Sequence, residues 1–173
     1  MPAPLMPRML LLLGYLEDKA KEQIECDLDC VELFCGKKAI TLAQQRAGLK
    51  ALGFDKVHSE SEDFCSPTGF ENALNLMLRL HAGGFLWAAP ECKTWIWLPR
   101  PQTKRSQANV HGDLDKSYVL NANRMVILLS VLFSIAYTRG IRLFMEQPCS
   151  TILHHFPPPP WAPSSSIACR TRC

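Results

Sequence analysis

The sequence predicts a three-layer α/β fold, a mostly parallel sheet with helices on both faces, incomplete at its C-terminal side. Three observations predict it. Short apolar runs, three of the four closely followed by Gly or Pro, alternate with longer segments of helical spacing. Their order is strand, helix, strand, helix, strand, helix, strand, which calls for parallel strands joined by crossover helices. The 173 residues, 47% hydrophobic and 20% charged, suffice for one domain and exclude a wholly disordered, collagen-like or coiled-coil chain.

Each element has a local reason. Residues 1–27 begin with Pro2, Pro4 and Pro7 and end in a charged, helix-prone stretch, so they read as an N-terminal extension. Its apolar run at 9–13 is short and is followed by Glu17-Asp18-Lys19 rather than a small-residue cleavage site, unlike a signal peptide. Cys30-Val31-Glu32-Leu33-Phe34-Cys35, closed by Gly36, is the first strand. A helix is predicted over 39–52, where Ile40, Leu42, Ala43, Ala47 and Ala51 can form a stripe and Gly53 supplies the stop. Lys56-Val57-His58-Ser59 is the second strand. Ser66-Pro67-Thr68 opens a helix over 69–81, with Phe70, Leu74, Met77, Leu78 and Leu80 on one side and Gly83-Gly84 at its end. Phe85-Leu86-Trp87-Ala88-Ala89 is an uncharged third strand, expected to be buried on both faces.

Residues 99–116 form a long polar loop. Residues 118–138 form a long helix, apolar almost all round after Met125 and so deeply packed. Arg139-Gly140 ends it, and Ile141-Arg142-Leu143-Phe144-Met145 is the fourth strand. The longest apolar stretch, 126–137, is short of the roughly 20 residues that a membrane helix needs, so no membrane partner is expected. From Pro157 the chain is rich in Pro and Ser. The domain therefore spans 28–156, and 157–173 is a disordered tail.

Net charge is +3, too small to identify a nucleic-acid binder. The eight cysteines form no CxxC pair and no Cys/His cluster of metal-site spacing, and His154-His155 lacks a third ligand, so no metal is expected. Cys30, Cys35, Cys92 and Cys149 lie in or beside apolar runs, as buried reduced thiols do, which points to an intracellular compartment. The sequence carries no signal for an oligomeric state.

In such sheets ligands bind beyond the carboxyl ends of the strands. Phe34-Cys35-Gly36 there offers a glycine for close backbone approach, or a plain strand-to-helix turn. Glu60 can accept from ribose hydroxyls, or belong to a solvated acidic loop. Pro90-Glu91-Cys92 presents Cys92 as a nucleophile, or as a small packing residue. Glu146-Gln147-Pro148 offers a carboxylate able to hold a ring nitrogen, or a turn cap. Trp95 and Trp97 can stack on a planar base, or belong to the core. Arg100, Lys104 and Arg105 make the loop after Cys92 basic, suited to phosphate contacts or merely solvated.

In this order the motifs resemble S-adenosylmethionine-dependent methyltransferases, which have a Rossmann-like fold, and most closely the DNA (cytosine-5) methyltransferase family. Val31-Glu32-Leu33-Phe34-Cys35-Gly36 is similar to its D-L-F-x-G motif, and Glu60 to its ribose-binding acid. Pro90-Glu91-Cys92 resembles the P-P-C turn, and Glu146-Gln147-Pro148 the E-N-V turn. The resemblance covers about residues 28–152 and departs from the family at Glu32, Lys37-Lys38, Glu91 and Gln147-Pro148. It implies S-adenosylmethionine as cofactor, held by Glu32, Phe34, Gly36, Glu60 and Pro90. It implies Cys92 and Glu146 as catalytic residues, with Trp95, Arg100, Lys104 and Arg105 toward a nucleic-acid substrate. Two competing readings stand beside it: a non-catalytic Rossmann-like interaction module, favoured by Lys37-Lys38 and the missing strands, and a thiol redox protein using Cys92 or Cys149.

Overall fold

The computed structural model describes Gly14, residues 24–157 and the backbone of residues 168–172. Strands β1 (Leu28–Leu33), β2 (Ala51–Phe54), β3 (Leu80–Ala88), β4 (Arg142–Pro148) and β5 (Ala168–Arg172) form one sheet. Its order is β2-β1-β3-β4-β5, and every neighbouring pair is parallel. The helices are α1 (Ala39–Arg46), α2 (Pro67–Leu78), a one-turn α3 (Arg100–Thr103) and α4 (Ser117–Thr138). This is the α/β, Rossmann-like class expected, small and incomplete.

The chain steps outward from β1 to β2, then returns past β1 to β3 and continues to β4 and β5. That reversal leaves a crevice between the carboxyl ends of β1 and β3. Side chains alternate along the interior strand β1. Val31 and Leu33 enter the main core with Leu74 and Met77 of α2 and Leu129, Leu132 and Phe133 of α4. Glu32 points the other way and meets α1. Each fully buried Val, Leu or Phe contributes about 1.5–3 kcal/mol, so β1 and its two helices supply much of the apolar stabilisation.

Several boundaries differ from the sequence reading. α1 stops at Arg46 because Gly48 takes a left-handed φ of +84°. The Leu49 and Gly48 N–H groups then donate to the Gln44 and Gln45 carbonyls, a Schellman closure. The chain is thereby free to form β2 at 51–54 rather than 56–59. β1 begins and ends two residues early, which leaves Phe34, Cys35 and Gly36 in the turn.

α2 is capped by Ser66, whose Oγ accepts from Gly69 N at 2.9 Å. A Cβ at Gly69 would lie 1.8 Å from the Asp63 carbonyl oxygen, so only glycine permits that approach. Gly83-Gly84, expected to end a helix, instead sit where the register of β3 against β1 shifts, a bulge with Gly83 at φ +85°. α4, by length and composition, can cross a bilayer, contrary to the expectation from 126–137. Here it buries Val119, Met125, Leu129, Leu132 and Ala136. The expected tail contributes the backbone of β5 beside β4. Residues 1–13, 15–23 and 158–167, with the rest of the expected extension and tail, lie outside the described residues.

At the amino end of the sheet, His81 places Nε2 2.9 Å from Asp29 Oδ1 and Nδ1 2.8 Å from the Ala82 carbonyl. The Ala82 carbonyl, and then Asp29, raise the His81 pKa above its ordinary 6.5. Asp29 is held below its ordinary value, chiefly by the same His81 contact. The stabilisation from His81 is therefore fully present below pH 6.5 and is lost as pH rises through the raised value. An NMR titration of His81 should have its midpoint above 6.5, and Asp29→Asn should lower it. A midpoint at or below 6.5 in the unmodified chain would contradict this arrangement.

Candidate functional site

Beyond Leu33 the chain turns through Phe34, Gly36 and Lys38, with φ of +58°, +48° and +58°. Two of these residues are not glycine, and each left-handed residue costs about 1–2 kcal/mol. Glu32 helps to offset that cost. Its carboxylate accepts from Thr41 N at 2.7 Å, Thr41 Oγ1 at 2.6 Å and Ile40 N at 3.4 Å. Lys38, the N-cap residue of α1, supplies no side-chain cap, so Glu32 does this from the neighbouring strand. Glu32 is 5% exposed and lies beneath the turn. Its place is that of a residue positioning the loop, where the sequence had put it at the cofactor.

Gly36 N donates to Asp55 Oδ2 at 2.9 Å, and Val57 N to Asp55 Oδ1 at 3.0 Å. The Phe34 ring packs edge-on against Phe64, with centroids 5.1 Å apart. A Cβ built at Gly36 meets nothing within 4 Å, so open space lies beside the turn. The acid at the exit of β2 is thus Asp55, which the sequence reading missed. Glu60 sits exposed in a separate 3-10 turn, Glu60–Glu62. Stopping the helix at Gly48 would have exposed Ala51-Leu52-Gly53-Phe54 as the strand and Asp55 as its terminal acid.

The exits of β3 and β4 form the second part of the rim. Ala89, Pro90, Cys92, Glu146, Gln147 and Pro148 line one cavity of about 250 Å³. This is below the roughly 300–1,000 Å³ of sites for drug-sized ligands. Cys92 and Glu146 are both half-buried. Gln147, 1% exposed, holds the cavity together. Its Nε2 donates to the Pro90 carbonyl at 2.9 Å, and its Oε1 accepts from Thr151 Oγ1 at 3.3 Å. Phe34, Gly36 and Glu60 do not line this cavity. They belong to the β1 side, which adjoins it through Ala89 N donating to the Leu33 carbonyl at 3.2 Å.

The loop after Cys92 corrects two expected substrate contacts. Trp95 is fully buried, packed edge-on against Phe156. Arg105, 2% exposed, lies 3.5 Å over the Trp95 ring. It donates to Asn123 Oδ1 at 2.9 Å, to the Val119 carbonyl at 3.4 Å and to the Val110 carbonyl. Burial pushes its pKa down to about 10. Both side chains anchor the loop to α4 and are shielded from a ligand. Of the other two, Lys104 is exposed and paired with Asp113 at 2.9 Å, and Arg100 is half-buried.

The chain matches no family model, no curated protein and no solved structure. The site is therefore argued on its own geometry. Among the described residues no group of three or more His, Cys, Asp or Glu is arranged to hold a metal. Cys30 and Cys35 are buried thiols, each pushed up to about 11, chiefly by burial. Cys149, expected to be a buried thiol, is exposed and disulfide-bonded.

Gln147→Leu keeps similar bulk but leaves the Pro90 carbonyl without its donor. Stability should fall by about 1–2 kcal/mol in chemical denaturation. Alkylation of Cys92 by iodoacetamide, followed by peptide mass spectrometry, should speed up several-fold as the turn is released. An unchanged alkylation rate would show that the amide does not restrain the turn.

Proposed function

We propose that the chain is a methyltransferase-type domain that uses S-adenosylmethionine and acts on a nucleic-acid base by cytosine-5 chemistry. The observation that carries this reading is the convergence of Cys92 and Glu146, from separate strand exits, on one small cavity. The sequence resemblance named the same pair.

The β1 side suits this cofactor class better than a dinucleotide. A pyrophosphate binds at a helix N-terminus through free N–H groups. At α1 the Ile40 and Thr41 N–H groups are already taken by the Glu32 carboxylate, which also repels an anion. A ligand without phosphate carries no such conflict. Asp55 accepts one backbone N–H on each oxygen and retains lone pairs for ribose hydroxyls, and the space beside Gly36 admits close approach. Phe34, Gly36 and Asp55 would hold the cofactor. Bound there, it supplies an electrophilic methyl group.

The remaining steps belong to the chain's own residues. The Cys92 thiolate adds to the C6 position of the ring, which makes C5 nucleophilic. Glu146 holds the Watson–Crick edge and, as the carboxylic acid, donates its proton to the ring nitrogen N3, which neutralises the negative charge that thiolate addition places on the ring. After methylation, water takes the C5 proton and the Cys92 sulfur departs as thiolate, which restores the aromatic ring. A base within a duplex cannot reach such a cavity, so it must be unpaired or extruded.

Isothermal titration of the full chain with S-adenosylmethionine should show binding, weakened about tenfold or more by Asp55→Ala. Methyl transfer to cytosine-containing oligonucleotides should be lost in Cys92→Ser with cofactor binding retained. Absence of heat and of thermal shift at millimolar cofactor would overturn the reading. Binding without transfer in the unmodified chain would instead identify a non-catalytic module.

A further inference from the structure

The turn carrying Cys92 leads into a tip of unusual composition. Leu98 and Trp97 are 79% and 67% exposed, the most exposed large apolar side chains among the described residues, and they are adjacent. The tip is held firmly from behind. Trp95, two residues earlier, is fully buried, and its carbonyl accepts from Ile152 N at 2.9 Å. Arg100 N donates to the Trp97 carbonyl at 3.2 Å, leading into α3, where Thr103 is buried. The exposure of Trp97 is therefore built into a braced turn.

The segment that carries the tip has one sign of charge along its sequence. From Lys93 to Arg105 the sequence has four basic residues and no acidic one. Arg105 is consumed inside the fold and Lys104 by Asp113. Lys93 is exposed, and neither it nor Arg100 forms an ion pair among the described residues. Arg100 also keeps its Nε buried without a hydrogen-bond partner. An exposed aromatic flanked in sequence by two cations that form no ion pair among the described residues fits a polyanion that carries planar rings. One Trp and one Leu offer little area to a bilayer. The tip is also tethered to the cavity, since five residues span at most about 17 Å.

We propose that Trp97, Leu98, Lys93 and Arg100 form the surface that holds an unpaired nucleic-acid strand beside the cavity. A base stacks on the Trp97 indole, and Lys93 and Arg100 contact the flanking phosphates. This rests on the preceding reading for the substrate class, yet it is tested without cofactor or turnover.

The experiment is fluorescence anisotropy of a labelled single-stranded 12-mer DNA titrated with the full chain at several salt concentrations. Trp97→Ala should weaken binding about 5- to 150-fold, the effect of one lost base–aromatic stack, and Trp97→Phe should restore most of it. Lys93→Gln with Arg100→Gln should reduce the slope of log K against log salt by about 1.4. Circular dichroism should show every variant folded, since these side chains lie outside the core. No binding by the unmodified chain, or Trp97→Ala within twofold of it, would overturn the proposal. So would Trp97-dependent binding to phosphatidylserine vesicles with no Trp97-dependent binding to DNA. Failure of cofactor binding with Trp97-dependent DNA binding intact would refute the methyltransferase reading and leave this surface standing. Cofactor binding without DNA binding would refute this surface alone.

Discussion

A single side-chain amide, that of Gln147, sets the shape of the rim. In the parallel register of β3 and β4, Ala88 lies opposite Met145, so both strands leave the sheet at the same level. Beyond that point the Pro90 carbonyl has left the strand ladder, and an unpaired carbonyl buried there costs about 1–3 kcal/mol. Gln147 satisfies it from the adjacent strand. The turn that carries Cys92 is thereby fixed to the strand that carries Glu146. Glu32 and Arg105 do comparable work nearby. Glu32 meets the N–H groups at the start of α1, and Arg105 meets the carbonyls at Val110 and Val119. All three are buried polar side chains bonded to backbone groups, and Gln147 and Glu32 satisfy groups left open where regular structure ends.

This division of labour separates the residues that hold the site from those that face a ligand. Glu32, Gln147, Trp95 and Arg105 are almost wholly enclosed. Asp55, Cys92, Glu146 and Trp97 retain accessible surface around the carboxyl ends of the strands. The β1 side carries a carboxylate and a capped helix, which favours a neutral or cationic ligand with hydroxyl donors. The β3–β4 side carries a thiol and a carboxylate around one small cavity. A cofactor on one side and a planar acceptor on the other would meet near the reversal in strand order, where open α/β sheets bind their ligands.

The alternation of strand and helix was legible because β1, β3 and β4 run into Gly36, Pro90 and Pro148, and that alternation alone placed Cys92 and Glu146 on one rim. The second strand was not legible. Residues 49–52 continue the helical spacing of α1, and the left-handed turn at Gly48 that breaks it leaves only one glycine as a local sign. Moving that boundary moves the acid from Glu60 to Asp55. The interior placement of Trp95 and Arg105 was illegible for another reason. A Trp and an Arg in a polar loop have the composition of an exposed binding surface. Only Asn123 and Val119, returning on α4, reveal the enclosed site that accepts the guanidinium. Of the two tryptophans that the sequence offered for stacking, only Trp97 is exposed.

The most direct measurement is a proximity test across the cavity. Glu146→Cys is introduced into the full chain, the folded protein is treated with the shortest available bifunctional thiol reagent, and linked peptides are identified by mass spectrometry. The account predicts a link between Cys92 and the introduced thiol as a major product under native conditions and its disappearance in denaturant. Modification of both thiols individually, without a link between them, would contradict a shared cavity and remove the basis for a joint role of Cys92 and Glu146.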